Sequence, residues 1–178
     1  MNLIIRKVKI EDIEQINQIR NDSSEWLHDN TKFTLSQTLE WFNKNKPDWW
    51  SIVDDDNSVV IGYFRLSNWS SKNKNIYIGA DIRPDFRGKG LGYRAYLSFM
   101  KFLFIERDLH KITLEVIESN NRAYGLYKKL GFIEEGKKRQ EVERGDTWED
   151  SIIMSILKYE FFEKYGTEFS DIPVHKDM

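Results

Sequence analysis

The chain has 178 residues with 27 Lys and Arg against 29 Asp and Glu, so its formal net charge is -2 and no basic surface for nucleic acid is expected. It has no Cys, which excludes disulfides and a thiol nucleophile, and its 3 His form no metal-ligand pattern. Because 40% of the residues are hydrophobic and no run approaches the roughly 18 apolar residues of a membrane helix, we expect one cytoplasmic domain over residues 1–178, with no membrane partner and no metal.

The first 75 residues pass from helix patterns to strand patterns. After a short strand at Ile4–Ile5, isoleucines recur every three residues from Ile10 to Ile19, which predicts an amphipathic helix. Thr34 and Gln37 form a capping-box pattern, so we expect a second helix there, ended by Pro47. From Trp50 the period favours strands, with three predicted segments at Trp50–Val53, Val59–Leu66 and Ile76–Ile82.

The second half predicts helices and strands in alternation after a glycine-rich turn at Gly88–Gly92. The predicted segments are a long helix with a broad apolar side, a strand at Lys111–Ile117, a helix at Asn120–Leu130 ended by Gly131, and a strand at Ile152–Leu157. After Tyr159 we expect a short helix and a loose end. This order predicts an α/β fold in which helices flank a mixed sheet.

The glycine-rich turn is the segment that indicates chemistry. Backbone N–H groups in such a turn, together with a helix N-terminus, form a generic phosphate site. A nucleotide P-loop needs Ser or Thr where Gly90 follows Lys89, and a dinucleotide fingerprint needs glycine where Tyr93 stands. What remains is a loop that can surround a pyrophosphate, or else a helix entry that uses glycine only for tight packing.

Two segments of the chain resemble the Gcn5-related N-acetyltransferase (GNAT) family. Ile82–Gly92 resembles that family's acetyl-CoA loop, and Leu114–Phe132 resembles the segment that the family places beside pantetheine and thioester, at a matching separation. Gly131–Gly136 is similar to the branch of ribosomal-protein N-terminal and small-amine acetyltransferases. The resemblance is strong over residues 76–157 and extends to residues 1–75 only through the order of elements.

The resemblance implies the GNAT fold, in which a central mixed, mostly antiparallel twisted sheet is splayed in the middle and flanked by helices on both faces. Residues 1–75 would then be the acceptor-side half, 76–157 the acetyl-CoA-binding core and 158–178 a C-terminal tail. It implies acetyl-CoA as the cofactor, with backbone N–H groups on the pyrophosphate and Arg83 or Arg94 near the remaining phosphate charge. The implied cofactor-binding residues are Ile82, Arg83, Arg87, Gly88, Lys89, Gly90, Leu91, Gly92, Tyr93, Asn120 and Tyr127.

The family's reaction is transfer of the acetyl group to a primary amine, and the lack of Cys favours direct attack in a ternary complex. The resemblance implies that Tyr127 protonates the departing thiolate; the alternative is a core tyrosine. Glu115, twelve residues earlier, is the expected base for the amine. Alternatives are a Glu115 that merely pairs with a lysine, leaving Asp81, Glu118 or water as the base.

The acceptor is predicted from short resemblances. Arg20-Asn21 and Trp41-Phe42 resemble acetyltransferases of nucleotide-linked 4-amino sugars, and Trp26 is a further candidate because five of the 6 Trp precede residue 76. Rings could stack on sugar or base and Arg could meet phosphate, although Trp41 and Phe42 could equally be core. A polyamine or a protein N-terminus is the alternative acceptor, and a non-catalytic acyl-CoA-binding module is the alternative class. A homodimer is a further possibility.

Overall fold

The computed structural model describes residues 1–169 and 172–176, and they form one open sheet with helices on both faces. The strands are β1 (Leu3–Lys7), β2 (Asp48–Asp54), β3 (Val59–Ser70), β4 (Asn75–Ile82), β5 (Lys111–Ile117), β6 (Ile133–Arg144), β7 (Thr147–Leu157) and β8 (Val174–His175). The α-helices are α1 (Ile13–Asp22), α2 (Leu35–Asn45), α3 (Leu91–Glu106), α4 (Asn121–Leu130) and α5 (Lys158–Tyr165).

The strand order across the sheet is β6-β7-β5-β4-β3-β2-β1-β8. Neighbouring strands are antiparallel except for two parallel pairs, β4 with β5 and β1 with β8. The predicted fold class, a mixed and mostly antiparallel sheet within an α/β chain, is therefore confirmed. The parallel pair in the centre is the one that matters for the site, because a parallel pair requires a crossover, and here that crossover is α3 with the loop before it.

The two faces of the sheet carry different helices. On one face, Phe64 of β3 stacks on Phe99 of α3 with ring centroids 4.5 Å apart, in a core that also includes residues of α4 and α5. On the other face, Tyr63 packs with Ile16 and Ile19 of α1. This follows from strand alternation, since neighbouring residues of β3 point to opposite faces. A ligand that entered an opening in the sheet would therefore lie close to the helices of both faces.

Several local predictions are confirmed. The Thr34 side chain accepts the backbone N–H of Gln37, and the Gln37 side chain accepts that of Thr34, so α2 begins with a capping box. Gly131 ends α4 in the left-handed region with φ of 100°. Three strands, β2, β3 and β4, contain the predicted segments of the meander, while β7 begins at Thr147, five residues before the predicted start.

The expectation of a loose end after the last helix was wrong for residues 172–176. Ile172 is buried, and β8 pairs with β1 and forms the edge of the sheet, with Ile5 donating its backbone N–H to the Pro173 carbonyl at 2.8 Å. Residues 170, 171, 177 and 178 of the predicted tail lie outside the described residues. No helix in the part of the chain that the structure describes is long and apolar enough to cross a membrane.

Candidate active site

The sheet opens between β4 and β5. These strands pair at Asn75–Lys111, Ile76–Ile112 and Tyr77–Thr113, and within residues 1–169 and 172–176 their pairing stops there. Beyond that point β4 stays paired with β3 as far as Ile82, and β5 stays paired with β7 as far as Ile117. The two strands therefore diverge while each keeps its outer neighbour, which leaves a wedge-shaped gap in the middle of the sheet.

Backbone groups of β4 point into this gap. Arg83 donates its backbone N–H to Ile61 of β3 at 2.8 Å, so this residue faces β3. Because N–H and C=O directions alternate along an antiparallel pair, those of Ile82 and Ala80 point the other way, toward β5. Backbone polar groups in a protein interior need partners, so this edge suits an extended ligand that hydrogen-bonds like an added strand.

The glycine-rich loop lies at the open end of the gap. Gly88 and Gly90 both have φ of 75°, and no described atom lies within 4 Å of where a Cβ would be, so the backbone conformation rather than space requires glycine. Gly90 is the N-cap of α3, and among the described residues no side chain caps this end. The first-turn N–H groups of α3, at Leu91, Gly92 and Tyr93, therefore have no helical partner and attract an anion.

Cationic side chains surround the loop, but not all of them face it freely. Arg87 donates from Nε to the Ile82 carbonyl at 2.7 Å and from Nη2 to Ser23 Oγ at 2.6 Å, so its side chain ties the loop to β4 and to the end of α1. Arg83 pairs with Asp85 at 2.9 Å. Arg122 and Lys129, which the sequence analysis missed, line the same cleft. Burial and the nearby Arg122 lower the pKa of Arg87.

A single cleft of about 350 Å³ joins the loop, the gap and Tyr127 of α4. The Tyr127 phenol is buried, 8% exposed, and accepts a hydrogen bond of 3.4 Å from the Tyr96 hydroxyl. Burial raises the pKa of Tyr127, so the phenol is protonated at neutral pH. Because Tyr96 occupies an acceptor position, the Tyr127 proton remains available to a group in the cleft. Asn120, by contrast, uses its side-chain oxygen to cap α4 at the Ala123 N–H.

A partly buried ion pair, in which Asp81 is buried and Arg65 is partly exposed, lines the cleft. Arg65 Nη1 donates to Asp81 Oδ2 at 2.8 Å and to the Tyr63 hydroxyl at 3.1 Å. The Asp81 charge overcomes the effect of burial and raises the pKa of Arg65, which stays a cation. Because the Asp81 carboxylate already binds the guanidinium of Arg65, it is not free to meet an amine, and this geometry disfavours Asp81 as the base.

Glu115 faces the cleft, as strand alternation predicted, and is also paired with a lysine. Its Oε1 accepts from Lys138 Nζ of β6 at 2.8 Å, and its Oε2 accepts from Ser151 Oγ of β7 at 3.5 Å. The hydrogen bond to Glu115 raises the pKa of Lys138. His28 Nε2 lies 2.7 Å from Ser151 Oγ and 3.8 Å from Glu115 Oε2. Glu118, the other reserve carboxylate, pairs with Lys137.

The residues predicted to bind the acceptor are not brought together. Trp26 lines the cleft with Glu115 and Tyr127. Arg20 and Trp41 instead line a separate cavity of about 340 Å³, where Trp41 stacks on Trp49 at 5.2 Å. Phe42 packs beside the same Trp49, with ring centroids 6.0 Å apart. Asn21 hydrogen-bonds the Phe33 backbone in both directions, at 2.8 and 3.0 Å, and so supports the loop before α2.

A sheet opened between two parallel strands, a glycine loop at a helix N-terminus and a buried tyrosine in one cleft define an acyl-CoA-dependent acyltransferase. The profile of the family described as Acetyltransferase (GNAT) domain matches residues 2–133. The chain belongs to the GNAT family, and it is an N-acetyltransferase that uses acetyl-CoA. In the described residues, no three His, Asp or Glu side chains gather as a metal site.

Relatives of known name differ in their acceptors. Spermidine N(1)-acetyltransferase of Vibrio cholerae is 26% identical over 85% of this chain and 89% of that protein. Ribosomal protein uS5-alanine N-acetyltransferase of Escherichia coli is 23% identical over 68% of this chain and 63% of that protein. A crystal structure of the Vibrio cholerae spermidine N-acetyltransferase in complex with CoA and spermine shares the fold, with a TM-score of 0.82, 24% identity and coverage of 90% of this chain and 98% of that one.

The side chains that meet Glu115 were not predicted from the sequence, because they come from far along the chain. His28 and Ser151 are 123 residues apart, and Lys138 lies on a strand whose register no sequence pattern specifies. One signal was present, because Gly131-Phe132 ends α4 and β6 begins directly after it; β6 pairs with β7, which in turn pairs with β5. That signal could place a strand but not choose which of its side chains reaches Glu115.

Proposed function

We propose that this protein acetylates a primary amine by direct attack in a ternary complex, with the acetyl-CoA arm in the β4–β5 gap. The observation that carries the proposal is the coincidence of three features in one cleft: open β4 backbone groups, uncapped N–H groups of α3, and the Tyr127 hydroxyl. Each feature alone is common. Together they match what an extended thioester with a pyrophosphate requires.

The chain's own residues would act as follows. Acetyl-CoA supplies the activated acetyl group when it is bound. The first-turn N–H groups of α3 and those of Gly88 to Gly90 hold the pyrophosphate, with Arg122 and Lys129 adding positive charge; the Arg87 N–H already bonds Pro84. The Ile82 N–H stabilises negative charge on the carbonyl oxygen, and Tyr127 donates its phenolic proton to sulfur.

Atoms balance in the overall reaction. The amine nitrogen gains a bond to the acetyl carbon as the C–S bond breaks. Of the two protons that an ammonium acceptor loses, one leaves to solvent through a base and the other ends on the thiol through Tyr127. Glu115 remains one of the residues that we predict to take part in removing the proton from the amine, although Lys138 binds one of its oxygens.

The acceptor that the cleft suits best is the α-amine of a polypeptide. The two carboxylates lining the described cleft, Asp81 and Glu115, are each already paired with a cation of this chain, Arg65 and Lys138. A polyamine has several positive charges and needs carboxylates that are not already neutralised. An α-amine carries a single charge and has a pKa near 8, so at neutral pH about a tenth of it is already the nucleophile.

Two other acceptors rest on different grounds. A polyamine is favoured by the spermidine acetyltransferases among the relatives. The nucleotide-linked amino sugar rested on Arg20, Asn21, Trp41 and Phe42, and that set does not line the cleft, while the named relatives point to polyamines or ribosomal proteins. We therefore rank the α-amine first, the polyamine second and the amino sugar third.

The deciding experiment measures thiol release from acetyl-CoA with three acceptors: a short peptide beginning with alanine, spermidine, and a nucleotide-linked 4-amino sugar. We expect the highest kcat/KM with the peptide. A higher value with spermidine would overturn the ranking while preserving the activity. Tight CoA binding with no release for any acceptor would indicate an acyl-CoA-binding module instead.

A further inference from the structure

His28 stands at the mouth of the cleft, on the loop between the helical turn Ser24–Trp26 and α2. Its imidazole is 38% exposed, so one part of the ring is packed and another faces the cleft that also contains Tyr127. The ring is therefore accessible to an acceptor that enters from solvent.

The loop that carries His28 is held from both sides. Arg144 of β6 donates to the Leu27 carbonyl at 2.8 Å, immediately before His28. On the other side, Arg20 of α1 donates to the carbonyls of Asp29, at 3.2 Å, and Thr31. Arg20, which we predicted to bind the acceptor, thus fixes the loop that presents the imidazole.

The hydrogen bonds determine which nitrogen of His28 is basic. The Glu115 carboxylate can only accept, and the Ser151 hydroxyl has one proton to give. If the Ser151 hydroxyl donates to Glu115, the Ser151 oxygen must accept from His28 Nε2–H. The three groups then form two hydrogen bonds, of 2.7 Å between His28 and Ser151 and of 3.5 Å between Ser151 and Glu115. The proton then sits on Nε2, and Nδ1 is the nitrogen with a free lone pair.

We propose that His28 is the catalytic residue that removes the proton from the acceptor amine, and that Ser151 and Glu115 are positioning residues that fix its tautomer. The inference rests on the proposed function. The N–H bond of the ammonium breaks, its electron pair stays on nitrogen, and the proton passes to Nδ1 and on to solvent. Glu115 thereby supports the base without touching the amine.

The electrostatic surroundings suit this task. Burial lowers the pKa of His28, while Glu115 of β5 and Glu141 of β6 oppose that effect and Lys138 and Arg144 of β6 add to it. The imidazole is therefore neutral at neutral pH and ready to accept a proton. A base with a pKa below about 6.5 is far better matched to an α-amine near 8 than to an alkyl amine near 10.4.

The test compares the pH dependence of kcat, at saturating acceptor, for the wild type, His28→Gln and the control His110→Gln. The acceptor is whichever of the alanine peptide, spermidine and the nucleotide-linked 4-amino sugar the wild type acetylates fastest. His110 is exposed and lies in the turn before β5, outside the cleft. The wild type and His110→Gln should show a limb that rises with pH below the ordinary histidine value of about 6.5. The profile of His28→Gln should lack that limb, and its kcat should be about 10²–10⁴-fold lower than that of the wild type.

A second variant separates chemistry from loop support. His28→Ala leaves space for free imidazole, which should restore part of its kcat in proportion to the unprotonated imidazole, while CoA affinity by calorimetry stays within about twofold of wild type. A residue that only supported the loop would gain nothing from imidazole.

The outcomes separate the two proposals. Loss of the limb in His28→Gln with imidazole rescue of His28→Ala supports His28 as the base. Retention of the limb in His28→Gln, or no rescue of His28→Ala, overturns it while leaving the acetyltransferase intact. If the wild type acetylates none of the three acceptors, the proposed function fails, and the His28 assignment fails with it.

Discussion

The proposed donor side and the proposed acceptor side of the cleft are built in different ways. The donor side uses backbone groups from two continuous segments, the loop at Ile82–Tyr93 and the strand-helix unit at Lys111–Leu130. The acceptor side uses side chains from a loop near residue 28 and from three strands, joined by contacts such as His28–Ser151 that span 123 residues. Backbone geometry needs few specific residues, whereas a side-chain site can change with one substitution.

The named relatives at 23–26% identity differ in acceptor, and a solved structure at 24% identity shares the fold. In this chain the glycine loop depends on φ angles, with Gly88 and Gly90 both at 75°. The acceptor side has no such backbone constraint. Substitutions on the two sides should therefore separate donor binding, chemistry and acceptor choice, and the following variants test that separation.

Tyr127→Phe should have the largest effect, because it removes the proton that the thiolate needs. We expect kcat to fall about 10²–10⁴-fold with CoA affinity nearly unchanged, measured by steady-state kinetics and calorimetry. Tyr124→Phe on the same helix is the matched control, since its hydroxyl faces Glu134 at 3.1 Å rather than the cleft. Equal kcat values for the two variants would remove Tyr127 from the chemistry.

Glu115→Gln should lower kcat less than Tyr127→Phe does. The Gln side chain can donate a hydrogen bond to Ser151, so it no longer fixes the His28 tautomer. Burial already lowers the pKa of His28, and loss of the carboxylate lowers it further, so the surviving rising limb should move to lower pH. A pH–rate profile checks the sign. Complete loss of the limb would instead identify Glu115 as the base that touches the amine.

Gly90→Ala should weaken CoA binding while sparing the acceptor side. An L-residue at φ of 75° costs about 1–2 kcal/mol, or roughly 5–30-fold in affinity if the loop leaves its conformation to avoid the strain. Gly125→Ala in α4 is the control, because Gly125 is helical and no described atom lies within 4 Å of an added Cβ. It should leave CoA affinity unchanged and raise the free energy of unfolding by about 0.5–1 kcal/mol.

Trp26→Leu and Trp41→Leu should show whether the cleft and the second cavity have different roles. Of the variants considered, these two should have the smallest effects. Trp26 lines the cleft, so its replacement should raise the acceptor KM several-fold and leave that of acetyl-CoA unchanged. Trp41 lines the second cavity and stacks on Trp49, and its loss should cost about 0.5–1.5 kcal/mol of stability with both KM values unchanged. A raised acceptor KM in Trp41→Leu would show that the second cavity is part of the acceptor site.

The sequence predicted the helices and strands better than the pairing between strands. The helix Asn120–Leu130 with its Gly131 stop, the strand Lys111–Ile117 and the capping box at Thr34 all agree with the structure, because each depends on residues within a few positions. The sequence did not predict that β8 pairs with β1 or that β7 begins at Thr147, since edge pairing and strand length depend on distant backbone.

The site divides in the same way. From the sequence, the resemblance to the GNAT family predicted a cofactor loop at Ile82–Gly92, an opening between two strands and a tyrosine at position 127 beside it, because the residues that carry the resemblance lie in two continuous segments. Only the tertiary structure decided that Lys138 holds Glu115, that Arg20 supports a loop rather than facing the cleft, and that His28 meets Ser151. Those contacts depend on β7 lying beside β5 and on a loop docked against β6, and a one-dimensional pattern carries no information about which distant side chains the sheet order will bring within 3 Å.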